Sequence, residues 1–224
     1  MVSLHTLAIP PLENGDRLTR PEFERRYQAT PEHCKAELIE GVVYMASPVR
    51  VFHGTPHFNL ITWLGVYGAA TAGVSGSDNA TTLLDQNNEL QPDALLRIEV
   101  GGRSSLSEEG YIEGAPELVA EVATSSAAID LGTKKEVYRR NGVQEYLVWQ
   151  TFGNRLDWFQ LEAEQFVAVD PDAEGIIRSR VFPGLWLAVP ALLAGNMLEV
   201  LTVLQRGIAD PSHQAFVERL QIQS

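Results

Sequence analysis

The chain has 224 residues, 45% of them hydrophobic and 21% charged, the balance of a globular protein with room for one well-buried core rather than two full domains. Its net charge of −12 argues against a broad phosphate-binding surface while leaving room for a local basic groove. One cysteine (Cys34) makes no intrachain pair, no apolar run reaches the ~18–20 residues that cross a bilayer, and the amino-terminal residues lack a signal-peptide pattern. A cytoplasmic protein without membrane partners is therefore expected.

Residues 1–18 hold two adjacent prolines and no period, and read as a lead-in. Thr19 before Arg20-Pro21-Glu22 marks a helix start, with Phe23 and Tyr27 as its buried face. Residues 36–47 read as a hairpin turning at Glu40-Gly41. Leu60, Ile61, Trp63, Leu64 and Tyr67 recur at helical spacing, so a helix is expected from His57 to Tyr67. Short strands are expected around Val74, over 82–84 and over 93–98, followed by a polar, Gly- and Ser-rich loop from 99 to 114.

The run 116–123 (PELVAEVA) has the length and branching of a buried strand. Asp130 reads as the cap of a helix ending at Asn141, with Gly142 as its stop. Strands are expected over 145–149 and 155–160, split by Gly153-Asn154, with edge strands over 166–169 and 178–182. From Pro190 onward the pattern is mostly helical. The organisation expected is a lead-in (1–18), one α/β domain (19–189) and a helical tail (190–224).

Glu121 lies inside an apolar strand, where an ionised carboxylate is costly unless a cation or several hydrogen bonds compensate it. A buried ion pair with an arginine is one answer and a metal ligand is the other. Asp93, opening a second apolar strand after Gln91-Pro92, favours the metal, because two carboxylates on successive core strands can converge at one strand end. Mg²⁺, with Mn²⁺ as a substitute, suits such oxygens, and the backbone carbonyl of Val122 offers another. Asp130, Lys134 and Tyr138 fall on one helical face, so the Lys134 ammonium can stand near the metal. Lys135, Arg139 and Arg140 form a short basic strip suited to backbone phosphates.

Other constellations carry less. His53 and His57 are four apart, but HGTPH lacks the glutamate of HExxH and holds a proline, so a zinc-protease motif is not expected. His57 can instead lie at the mouth of the site, or cap or pack its helix. The segment Gly73–Ser77 matches neither a P-loop nor a nucleophile elbow.

The order Glu37-Leu38-Ile39-Glu40-Gly41, His57, Gln91-Pro92-Asp93, the run from Gly114 to Val122, Asp130 with Lys134 and Tyr138, and the run from Gly142 to Val148 resembles the Uma2 family of predicted restriction endonucleases, a branch of the PD-(D/E)xK nuclease fold. The likeness runs from about residue 18 to 159 and is most specific between Pro116 and Val148. It implies a mixed central sheet flanked by helices and Mg²⁺-dependent hydrolysis of phosphodiester bonds in DNA. Asp93 and Glu121 would be metal ligands, Lys134 the catalytic lysine, Glu37 a further acid, and Tyr138 a support. The position two residues after Glu121, where the fold's usual motif has lysine, is Ala123; the resemblance draws the lysine from the next helix instead. A homodimer is compatible with cleavage of two strands. The alternatives are a silent module that binds nucleic acid or a protein, and a hydrolase of smaller phosphate esters.

Overall fold

The computed structural model describes residues 9–223 except 32 and 47, so the first eight residues of the expected lead-in and the last of the expected hairpin lie outside the described residues. The chain forms two six-stranded sheets and a two-stranded ribbon, with helices against them. The main sheet has the order β12 (Gln165–Ala168), β11 (Arg155–Glu162), β10 (Glu145–Gln150), β9 (Leu118–Ala123), β6 (Ala94–Ile98), β3 (Val74–Asp78). Only β9 and β10 run parallel in it, joined by the helical crossover that the spacing between the two strands requires.

All six residues of β9 are buried, as expected for a strand covered on both faces. Leu118, Ala120 and Val122 pack under Leu60, Trp63, Leu64 and Tyr67 of the long helix α2 (Val51–Ala70). Val119 and Ala123 pack on the other side with Val137, Tyr138 and Tyr146. That second side is roofed by α3 (Ala127–Ile129), a π-helical turn (Asp130–Lys134) and α4 (Lys135–Asn141). Gly142 closes α4 at φ 87°, a left-handed conformation in which a Cβ would also strike the Arg103 guanidinium.

The second sheet, β2 (Val42–Met45), β1 (Ala36–Ile39), β5 (Asn88–Leu90), β4 (Thr82–Asp85), β8 (Ile112–Gly114), β7 (Ser104–Leu106), carries the hairpin and α1 (Arg20–Tyr27), whose Phe23 and Tyr27 rings stack. Leu192, Val200, Leu204 and Phe216, on the segments α5 (Val189–Leu193), α6 (Met197–Ile208) and α7 (Pro211–Gln223), join the core that α2 builds on the main sheet.

Several expected boundaries differ. The stretch 99–114 is not all loop: β7 and β8 form there, and β8 pairs with β4 by burying little more than Ile112, too weak a pattern to read from sequence. The edge strand expected over 178–182 is β13 (Ile176–Arg178), paired with β14 (Trp186–Ala188). It ends where the Ser179 hydroxyl and Arg180 N–H turn aside to donate to Glu145, at 2.6 and 2.9 Å. Asp130 does not cap its helix, which starts three residues earlier at Ala127; it opens the π-helical turn instead. The helix expected from His57 starts at Val51 and runs through Pro56, so His57 is in its second turn. Proline removes one backbone donor, and the carbonyl that would have received it belongs to the exposed Phe52.

Candidate active site

The β6–β9 register pairs Ala94 with Ala120, which sets Asp93 opposite Glu121 at one end of the two strands. Side-chain alternation turns Glu121 away from α2 and under the α3–α4 roof, where it is 3% exposed. Its Oε1 accepts from Lys134 Nζ at 3.1 Å and from the Tyr138 hydroxyl at 2.9 Å. Its Oε2 lies 3.4 Å from the Asp93 N–H. Lys134 Nζ also stands 3.0 Å from Glu37 Oε2 and 3.8 Å from Asp130 Oδ1. Glu37 reaches in from β1, and its other oxygen accepts the Gln91 N–H at 2.8 Å, which ties the second sheet to the strand end that carries Asp93.

The π-helical turn is part of this construction. A π turn adds a residue to the helical repeat and is commonly found at functional sites. Here Lys134 and Tyr138 reach the carboxylates beneath, Asp130 lies 3.8 Å from the Lys134 ammonium, and the Tyr146 hydroxyl donates to the Asp130 carbonyl at 2.9 Å, holding the turn from below.

Three carboxylates (Glu37, Glu121, Asp130) thus share one ammonium, and a fourth, Asp93, lies beside Glu121 and pairs with His53 instead. Burial drives the Glu121 carboxyl well above its ordinary range; Lys134 opposes this, and Asp93, Asp130 and Glu37 reinforce it. Asp130 is pushed up by burial against the pull of Lys134 and a Ser126 hydrogen bond. Burial would discharge Lys134, but Glu121, Glu37 and Asp130 outweigh it and keep the ammonium charged. Burial also pushes Asp93 up, yet the hydrogen bond and charge of His53 and the Val122 N–H, 2.7 Å from its Oδ2, hold it below the usual carboxylate range. The partner effect raises His53, whose Nε2 is 3.2 Å from Asp93 Oδ2.

His57 Nε2 lies 2.7 Å from the Asp93 carbonyl, so the residue meets the site's edge, as one of the sequence readings has it. The Val122 N–H points to Asp93, and the carbonyls of Glu117 and Ala123 accept from the N–H groups of residues 145 and 151 on the β10 side. Alternation along β9 therefore turns the Val122 carbonyl toward the Asp93 side.

The basic strip does not stand free. Lys135 Nζ sits 3.4 Å over the Phe159 ring, Arg139 pairs with Glu136, and Arg140 with Glu40 and Asp85. Two residues at the site escaped the sequence reading: His53, set aside with the zinc motif, and Asp78, whose Oδ1 is 3.3 Å from His57 Nε2. The four-residue spacing of the two histidines was the signal for the first; β3 carries none for Asp78.

A mixed sheet with acids at the ends of two neighbouring strands, backed by a lysine from the crossover helix, places the protein among the nuclease-like α/β folds. Residues 20–190 match the model of the Uma2 family, described as “Putative restriction endonuclease”, and the chain belongs to that family. The fold is similar to the crystal structure of a “putative nuclease” of the DUF820 group from Anabaena variabilis, with a TM-score of 0.59 and 13% identity over 76% of this chain and 96% of that one. No curated protein sequence matches the chain. Among the described residues, no helix is long and apolar enough to cross a membrane.

Proposed function

We propose that the protein is a Mg²⁺-dependent endonuclease that hydrolyses phosphodiester bonds of DNA. One observation carries the reading: Glu37, Glu121 and Asp130 crowd one charged lysine, with Asp93 beside Glu121 at the end of β6 and β9, an excess of negative charge that a divalent cation would balance. Asp93, Glu121 and the Val122 carbonyl are hard oxygen donors and fit Mg²⁺, with Mn²⁺ as a substitute. When bound, the ion would polarise the scissile phosphate and acidify a water.

The protein's own groups supply the rest. Lys134 stays protonated, so it acts as a donor that orients the attacking water and offsets charge on the phosphate oxygens, rather than as a base. Glu37, more exposed than Glu121 and 3.0 Å from Lys134 Nζ, is placed to receive the proton that the water releases as its oxygen bonds to phosphorus and the ester P–O bond breaks. Tyr138 fixes Glu121 Oε1 from the helix face above. A homodimer would bring one such site to each strand of a duplex.

The test is cleavage of duplex, nicked and single-stranded DNA and of RNA with Mg²⁺ or Mn²⁺, comparing the wild type with Asp93→Ala and Lys134→Ala. Metal-dependent cutting lost in both variants is expected. The second reading is a silent module that binds nucleic acid or a protein; the internal pairing of Lys135, Arg139 and Arg140 favours its protein-binding form, because it withdraws these cations from phosphates. It wins if every substrate stays intact while salt-sensitive DNA binding persists without metal.

A further inference from the structure

We propose that His53, His57 and Asp93 form a second cation position, on the α2 side of Asp93, that takes a transition-metal ion such as Zn²⁺ in preference to Mg²⁺. The two histidines are one turn apart on α2, with ring centroids 5.7 Å apart. One ligand atom from each of His53, His57 and Asp93 falls within 4.8 Å of the others, close enough to surround one ion. Asp78 Oδ1, 3.3 Å from His57 Nε2, is a fourth donor at the open side.

Protein contacts alone leave this cluster poorly satisfied. His57 Nε2 faces two oxygens, the Asp93 carbonyl at 2.7 Å and Asp78 Oδ1 at 3.3 Å, with at most one proton to share. His53 Nδ1 is buried and has no hydrogen-bond partner. Buried polar atoms are normally paired, and unsatisfied ones mark an unfilled role or an ion.

The two sides of Asp93 differ in chemistry. Toward Glu121 and Val122 the donors are all oxygen, the set that suits Mg²⁺ and Mn²⁺. Toward α2 two of them are imidazole nitrogens, which suit Zn²⁺, Fe²⁺, Co²⁺ or Ni²⁺. Asp93 has a carboxylate at the boundary and can serve either side. The α2 position does not depend on the nuclease reading, because neither Glu121 nor Lys134 belongs to it.

The experiment is a Zn²⁺ titration of the whole protein followed by imidazole ¹H–¹⁵N correlation spectra, which resolve the ring nitrogens of its five histidines. Zn²⁺ should move the His53 and His57 signals in the wild type and equally in Glu121→Gln, while millimolar Mg²⁺ leaves them in place. His53→Gln should weaken calorimetric Zn²⁺ binding by at least about tenfold, the lower range for disturbed metal sites. Far-UV circular dichroism checks that variant's fold, and the wild-type spectra stand without it. The proposal is overturned if Zn²⁺ leaves both histidines unmoved, or moves them only while Glu121 is intact, which would mean one shared ion. Unmoved cleavage data cannot decide it: a protein that cuts nothing yet shows both shifts loses the nuclease reading and keeps this one.

Discussion

Glu117, immediately before β9, and Glu121, within it, stand four residues apart, both almost wholly buried, and they are compensated in opposite ways. Glu117 accepts two backbone N–H groups, from Ile98 at 2.8 Å and Arg103 at 2.7 Å, and so pins the chain where β6 leaves the sheet. Glu121 receives a lysine and a tyrosine hydroxyl but is surrounded by three more acids. Glu145 behaves like Glu117, closed by Ser179 and the Arg180 N–H. Burial of a carboxylate therefore says little by itself. Neutral backbone donors make it a structural clamp, whereas crowding by other carboxylates leaves a charge deficit that invites a cation.

The contrast can be broken by substitution. The largest effect is expected for Asp93→Asn, which keeps an acceptor for the Val122 N–H but removes the charge; cleavage should fall by about 10²–10³-fold, on the scale of losing one aligned electrostatic group. Glu117→Ala should leave the folded fraction's cleavage nearly unchanged and instead lower stability in urea by about 2–4 kcal/mol, because two inward N–H groups lose their acceptor. If that variant instead lost activity at full stability, the division between the two glutamates would fail.

Glu89 extends the series to a carboxylate with neither kind of help. It is 5% exposed, its Oε2 has no hydrogen-bond partner, and burial together with Glu24 pushes it up to about 7 despite Arg20. A raised folded pKa means a contribution that is whole below the ordinary value of 4.5 and lost as pH climbs to about 7. Glu89→Gln should therefore match the wild type at pH 4 and exceed it by about 1–3 kcal/mol at pH 8. Equal pH profiles for the two proteins would show that Glu89 is relieved in solution.

The smallest shift is expected for Glu121→Gln without metal. The amide still accepts from Lys134 and Tyr138, and the upward shift of Glu121 means that the wild type loses stability as pH rises through the folded pKa. The variant should be as stable as the wild type or about 1 kcal/mol more so above that range, while Mg²⁺ raises the melting midpoint of the wild type alone. A clear loss of stability would place Glu121 with Glu117.

Much of this was legible in the sequence. The apolar run around Glu121 marks a strand buried on both faces, and the anomaly of an acid within it locates the centre. Asp93, Lys134, Tyr138 and Glu37 do meet there, because strand register and helix periodicity are local properties that spacing reports. What spacing could not report is longer in range. The α2 start was hidden by Pro56, so the histidine pair fell outside the helix that carries it. Lys135 and Arg140 of the basic strip looked free because their partners, Phe159, Glu40 and Asp85, are far away in sequence. The β7–β8 pair rests on one buried isoleucine and backbone hydrogen bonds, which leave no side-chain period.

The π-helical turn makes the lysine's aim a matter of chain length as well as residue identity. An added residue in a helix rotates everything beyond it by about 100° relative to an unbroken α-helix. Loss of a single codon between Asp130 and Lys134, for instance the exposed Gly132, would restore regular winding and swing either the acid or the lysine out of register, with every charged side chain still encoded. Among relatives, an in-frame deletion at this turn would be a one-step route to an inactive lineage, invisible to any comparison that scores only whether the lysine is present.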